Sequence, residues 1–260
     1  MIRLLSGLTL ALLVVALIWL LSPVQLLVVA LGVAGLAFRE YARLVGAIGA
    51  RVPWGSTLVA TLAACAMVPF PWVAVESVLA VALVTIAVMV MSSDREGPAV
   101  LHDTAAAVLA PVYIGLPLGA LVGVLALEGR EGVLLLLGTV VVSDSAQFYA
   151  GRLFGRRLLA PVLSPKKTIE GAIGGVLVAP AVLAAVGPYV LPQVSPLLLA
   201  ALGVVLVAAG ICGDLFESML KRAAGVKDSA SLIPGHGGVL DRIDALLFAA
   251  PLFYFFLRAT

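Results

Sequence analysis

Near its end the chain reads GHGGVLDRIDALLF, residues 235–248, which sets His236, Asp241, Arg242 and Asp244 beside a run made almost entirely of apolar residues. Just upstream, GDLFESMLKRAAGVKD at 213–228 carries Asp214, Glu217, Ser218 and Lys221. Their spacing of i, i+3, i+4 and i+7 draws one polar stripe along a helix. The glycines around His236 free the backbone to reach positive φ and to turn N–H groups toward an anion. Asp241 and Asp244 open the last apolar run on one face, where a carboxylate also complements the helix dipole. Arg242 fits either that site or a simple anchor at a membrane surface. His236 has no second His or Cys at a zinc spacing, so its chemistry is hydrogen bonding rather than metal binding.

Two earlier stretches carry the same mixture. In VVSDSAQFYAGRLFG, residues 141–155, Asp144, Gln147, Phe148 and Gly151 share a helical face. Asp144 there either hydrogen-bonds to Ser or Gln on a neighbouring helix or serves a site. In SPKKTIEGAIGG, residues 164–175, Pro165 suits a helix start and Thr168 its first turn, where free backbone N–H groups meet anions. Lys166 and Lys167 strengthen that field, and Glu170, four and three residues on, is placed for an ordinary ion pair with them. Gly171, Gly174 and Gly175 let a second helix approach closely. By itself this stretch fits a phosphate site and a basic membrane-surface loop equally well.

Carboxylates on separate helices beside lysines and a glycine turn match the needs of a magnesium-bound polyphosphate. Mg2+ takes one or two protein carboxylates and fills its other positions with water and phosphate oxygens. Lysines and backbone N–H groups then offset the remaining charge. The chemistry is phosphoryl or nucleotidyl transfer.

The elements that must position these groups are membrane helices. The chain is 63% hydrophobic and 12% charged, about half the ~25% usual in a soluble domain, and its mean hydropathy is +1.20. Apolar runs long enough to cross a bilayer fall near 4–21, 24–38, 55–72, 74–92, 104–127, 132–150, 168–190, 196–216 and 239–258. Unbroken runs of this kind exclude a barrel, whose strands alternate apolar and polar residues. The expected fold is an all-α integral membrane protein of about nine transmembrane helices. The first run lacks a small-residue cleavage site and reads as a retained helix. Cys65 and Cys212 both lie in apolar runs, which argues against a disulfide scaffold. With Met1 on the cytoplasmic side, 14 of the 16 Lys and Arg fall on that side, leaving Arg130 and Arg258 outside. Polar residues enter the spans from Ser143 onward, so residues 1–130 are expected to be scaffold and residues 131–260 the catalytic region, with its site at the cytoplasmic face.

The run Ser218-Met-Leu-Lys221-Arg222, Lys227-Asp228, Pro234-Gly-His236-Gly-Gly and Asp241-Arg242-Ile-Asp244 resembles the signature of the phosphatidate cytidylyltransferases, or CDP-diacylglycerol synthases. SDSAQFYAGRLFG and SPKKTIEG resemble two further blocks of that family in the same order, departing from it at Gln147-Phe148 and Ile169. The resemblance covers residues 141–245. It implies transfer of the cytidylyl group of CTP to phosphatidic acid, giving CDP-diacylglycerol and pyrophosphate with Mg2+ in the cytoplasmic leaflet of a bacterial membrane. CTP, phosphatidic acid and membrane lipid are then the partners, not nucleic acid, and the family suggests a homodimer. Asp214 and Asp241 are the first expected metal ligands, with Asp144 and Asp244 after them; a second cation is compatible with this set. Lys166, Lys167 and Lys221 would hold phosphates, and Ser218, His236 and Arg242 would orient them. Two competing readings are a CTP-dependent polyprenol-type lipid kinase, which transfers the γ-phosphate, and an ion-coupled transporter. The transporter is disfavoured because the polar groups gather at one end of the spans rather than midway.

Overall fold

The computed structural model describes residues 2–70, 74–230 and 237–260. His236, with Pro234 and Gly235, lies outside the described residues. The chain is almost wholly helical: α1 (Ile2–Leu20), α2 (Pro23–Ala47), α3 (Trp54–Met67), α4 (Val75–Met91), α5 (Pro98–Ala110), α6 (Leu116–Phe154), α7 (Ile169–Val186), α8 (Pro196–Ala223) and α9 (Leu240–Ala259). A π-helical turn, Pro111–Gly115, joins α5 to α6. Among the described residues, four helical stretches are long and apolar enough to cross a membrane: Pro23–Ala47, Pro98–Phe154, Ile169–Tyr189 and Pro196–Ala223. This is the architecture of an all-α membrane protein.

Local sequence explains the boundaries. Ser22 opens α2 with a capping box, its hydroxyl accepting from the Gln25 N–H while the Gln25 side chain accepts from the Ser22 N–H, and Pro23 follows at the first helical position. Arg39, Glu40 and Arg43 do not end α2: both arginines face outward, while Glu40 continues the buried face of Ala37, Tyr41 and Leu44. Within α6 the helical path breaks at Gly129, whose φ of 67° is open to glycine at little cost. The break falls between two of the expected apolar runs.

The stretch 156–168 departs from expectation. Leu158–Ala160 (β1) and Ser164–Thr168 (β2) form an antiparallel hairpin, with Leu158 opposite Thr168 and Ala160 opposite Ser164. Pro165 therefore lies in a strand and not at a helix start. A two-stranded ribbon has only edge strands, where a residue without an N–H is tolerated. Thr168 does cap α7, its hydroxyl accepting from the Gly171 N–H at 3.1 Å.

The chain divides into two compact units, Met1–Ala126 with Leu220–Arg242, and Leu127–Met219 with Ile243–Thr260. The described residues of 220–242 thus group with the first unit. In the first unit, Tyr41, Phe38 and Ile114 are fully buried, and the Tyr41 hydroxyl donates to the Ala106 carbonyl at 2.8 Å. In the second, α6 and α7 meet through small residues. A Cβ on Gly171 would lie 2.8 Å from the Gln147 carbonyl, one on Gly175 would lie 2.7 Å from the Gln147 side chain, and one on Gly174 would collide with Ala150. This is the close approach expected of the three glycines, and α6 is the helix that makes it.

Candidate functional site

In the second unit, three elements bring polar groups together. α8 presents Asp214, β2 presents Lys167, and the Lys167 Nζ donates to the Asp214 carboxylate at 2.7 Å. Successive strand residues face opposite sides, which separates Lys167 from the exposed Lys166. Ser218, one turn along α8, donates to the other Asp214 oxygen at 3.4 Å. Asp144, on α6, lies within electrostatic reach of both Lys167 and Asp214. The Gln147 amide donates to the Ser143 hydroxyl at 3.0 Å and, more loosely, to Asp144 at 3.5 Å.

Glu170 does not pair with Lys166 or Lys167, because those lysines lie on a strand and the helical i+4 rule does not reach them. Its carboxylate instead accepts from the backbone N–H groups of Arg156 and Arg157, at 2.9 and 3.2 Å, and so ties the end of the α6 connection to the start of α7. Asp244 accepts from the Ala245 N–H at 2.8 Å, and its backbone carbonyl packs so tightly on Gly213 of α8 that a Cβ there would collide with it.

The first unit holds a second polar cluster. Among the described residues Asp241 accepts from the Lys221 ammonium at 2.6 Å, the Ser229 N–H at 2.9 Å and the Gly238 N–H at 2.8 Å, and it lies 2.7 Å from the Ser229 hydroxyl. The Lys221 and Asp241 side chains are 12% and 6% exposed, so this ion pair is largely withdrawn from solvent. Glu40, from α2, completes the cluster by accepting from the Ser229 hydroxyl and from the N–H groups of Val239 and Leu240. Arg242 is exposed, and its backbone N–H donates to the Val239 carbonyl at 3.0 Å.

The expected site residues thus fall into two groups. Asp144, Lys167, Asp214 and Ser218 gather in one unit, and Lys221 and Asp241 in the other. Sequence reasoning missed Glu40 as a partner of the signature loop, and it missed Asp103. Asp103 is buried on α5, accepts from the Arg51 N–H at 2.8 Å and pairs with Arg95 at 3.2 Å. Glu40 left a signal: it is a charge on the apolar face of α2, three residues after Ala37 and four before Leu44.

The two clusters differ in their fitness for a metal. Asp144 and Asp214 supply the one or two carboxylates that Mg2+ takes from a protein, and each keeps acceptor capacity. Asp241 is committed to the Lys221 ammonium and to the Ser229 and Gly238 N–H groups. No group of three His, Cys, Asp or Glu side chains gathers as a metal cage among the described residues.

The fold and site define a helical membrane protein with a lysine paired to Asp214 and a second carboxylate, Asp144, within electrostatic reach. The cytidylyltransferase family profile matches residues 1–260, and the chain belongs to that family. Among curated proteins it is 45% identical over 126 residues to the uncharacterized protein YnbB of Escherichia coli K12, covering 48% of this chain and 42% of that one. It is 46% identical over 134 residues to a phosphatidate cytidylyltransferase of Haemophilus influenzae, covering 48% of this chain and 46% of the relative. A phosphatidate cytidylyltransferase of Helicobacter pylori is 39% identical over 165 residues, covering 64% of this chain and 60% of the relative. The chain therefore spans about half the length of the curated relatives it matches.

Proposed function

We propose that this protein transfers the cytidylyl group of CTP to phosphatidic acid, forming CDP-diacylglycerol and pyrophosphate, with its site at the cytoplasmic face of a bacterial membrane. The observation that carries this reading is the Lys167–Asp214 pair with Asp144 beside it, in a member of the cytidylyltransferase family whose relatives include phosphatidate cytidylyltransferases.

In the reaction a phosphate oxygen of phosphatidic acid attacks the α-phosphorus of CTP. A new P–O bond forms, the bond between the α-phosphorus and its bridging oxygen breaks, and pyrophosphate leaves. A phosphate monoester has a second pKa of about 6, so the attacking oxygen is already largely ionised at neutral pH and needs no strong base. Mg2+, when bound, supplies Lewis-acid polarisation of the phosphoryl group and offsets the charge of the leaving pyrophosphate.

The residues divide the remaining work. Asp214 and Asp144 would hold the metal, and Asp244 is a further carboxylate in the same unit. Lys167, paired with Asp214 at 2.7 Å, would hold a CTP phosphate, with Lys166 contributing longer-range charge. Ser218 orients what Asp214 holds. In the other cluster Lys221 is the phosphate-binding group, Asp241 fixes its position together with the Ser229 and Gly238 backbone, and His236 and Arg242 contribute from the same signature. Asp241 is thereby moved from metal ligand to holder of Lys221.

The test is incubation of detergent-purified protein with phosphatidic acid and CTP labelled at the α- or γ-phosphate, with and without Mg2+, followed by thin-layer chromatography. The expected result is α-label in lipid and γ-label in pyrophosphate, both dependent on Mg2+. Appearance of γ-label in lipid overturns the reading in favour of a kinase.

A further inference from the structure

α9 begins at Leu240, so the N–H groups of Val239 and Leu240 belong to the first turn, which has no intrahelical acceptors. Both are satisfied by one carboxylate from a distant part of the chain: Glu40 accepts from Val239 at 2.9 Å and from Leu240 at 2.8 Å. The same carboxylate accepts from the Ser229 hydroxyl at 2.9 Å, and that hydroxyl also lies 2.7 Å from Asp241. Glu40 is 4% exposed, and a Cβ on Gly238 would collide with both its carboxylate and the Ser229 hydroxyl. Glycine at 238 is what permits the backbone there to lie directly against the acid.

We infer that Glu40 is a positioning residue for nucleotide binding, acting from α2 through Ser229 and the start of α9 to hold the Lys221–Asp241 pair. The inference rests on the function proposed above. The chain of contacts is short and has a physical sense: two backbone N–H groups converge on Glu40, the Lys221 ammonium and two backbone N–H groups converge on Asp241, and the Ser229 hydroxyl lies between the two acids. A hydroxyl has one proton to give, so Ser229 cannot satisfy both carboxylates alone. Lys221 and the backbone N–H groups supply the balance, and removing Glu40 unbalances the whole set. The residue thereby gives the N-terminal unit a part in substrate binding.

Loss of positioning differs from loss of folded protein in its kinetic signature. A binding loop ordered for only a fraction of the time raises the apparent dissociation constant by the inverse of that fraction. Misfolding instead lowers the number of active molecules and leaves KM unchanged.

The experiment compares the full-length protein with Glu40→Gln in detergent micelles, reading KM for CTP, kcat, and hydrogen exchange of peptides carrying Val239 and Leu240. A Gln side chain keeps one acceptor but turns an NH2 toward an N–H donor. The expected result is a rise of about tenfold or more in KM for CTP, a fall of less than threefold in kcat, and faster exchange confined to the start of α9 and the Ser229 segment. Ser229→Ala, which spares the two backbone contacts, is expected to raise KM about threefold and serves if Glu40→Gln does not fold. KM for CTP within twofold of the parent in the variants that fold, or exchange that rises equally in all helices, overturns the inference. If the parent puts no α-label into lipid, the proposed reaction fails by itself, and the exchange pattern still decides whether Glu40 holds this loop.

Discussion

Replacing Asp241 by Asn tests the division between the two clusters most directly. The carboxylate pairs with Lys221 at 2.6 Å, with both side chains largely buried, and also accepts from the Ser229 and Gly238 N–H groups. Asn has one acceptor oxygen. If that oxygen serves the two N–H groups, its NH2 faces the Lys221 ammonium, donor against donor, and the cation is left without its counter-charge. Removing one partner of a buried pair costs about 3–5 kcal/mol. At about 1.4 kcal/mol per factor of ten, the local opening constant of this segment rises at least about a hundredfold. The measurement is hydrogen exchange at the Ser229 and Gly238 segments, with CTP turnover in parallel. A second change, Lys221→Met, removes the stranded charge, so the double variant is expected to recover protection relative to Asp241→Asn while remaining inactive. A cost below about 1 kcal/mol for Asp241→Asn, or a double variant less protected than the single one, refutes the reasoning.

Asp144→Asn is expected to raise the Mg2+ concentration for half-maximal turnover about tenfold and to weaken Mn2+ binding read by electron paramagnetic resonance, whereas Asp241→Asn leaves Mn2+ affinity unchanged. Asp214→Asn abolishes turnover without recovery in excess Mg2+ while the protein still inserts and elutes normally; near-parental activity removes it from the ligand set. Lys167→Met is expected to lower kcat/KM at least about thirtyfold and Lys166→Met less than threefold, since only Lys167 reaches Asp214; equal effects contradict the strand placement. Asp103→Asn, which breaks the contact to Arg95, is expected to destabilise the first unit by about 3 kcal/mol in detergent unfolding, with KM for CTP unchanged in the protein that remains folded.

Hydropathy made the helices legible because burial in lipid demands long apolar runs, and the gap between the runs at 104–127 and 132–150 contains the break that the structure places at Gly129. The Gly171, Gly174 and Gly175 face was legible for the same kind of reason, since small residues at a helix spacing have a packing meaning whatever their partner. The hairpin at 158–168 was not legible. Helical spacing assigned Lys166 and Lys167 to Glu170, and a local change of secondary structure redirected every side chain in the stretch. Glu40 and Asp103 escaped for another reason: their partners are set by tertiary packing. No local spacing connects Glu40 to Val239, although the position of Glu40 on an apolar face already required some partner for it.

The contrast between Asp214 and Asp241 carries the functional argument further than the motif does. Both are acids in the resembling segment, and both hold a lysine. The Asp241 side chain is 6% exposed and accepts from the Lys221 ammonium and two backbone N–H groups, so moving any ligand into its place requires breaking several charge-assisted hydrogen bonds in a site water cannot readily re-solvate. Asp214 is 36% exposed and takes one ammonium and one long hydroxyl contact, both from side chains that can rotate away. On the proposed reading Asp214 would be the acid that holds a divalent cation, with Lys167 serving phosphate, while Asp241 would fix Lys221; the Mg2+ dependence of the two Asn variants separates these roles.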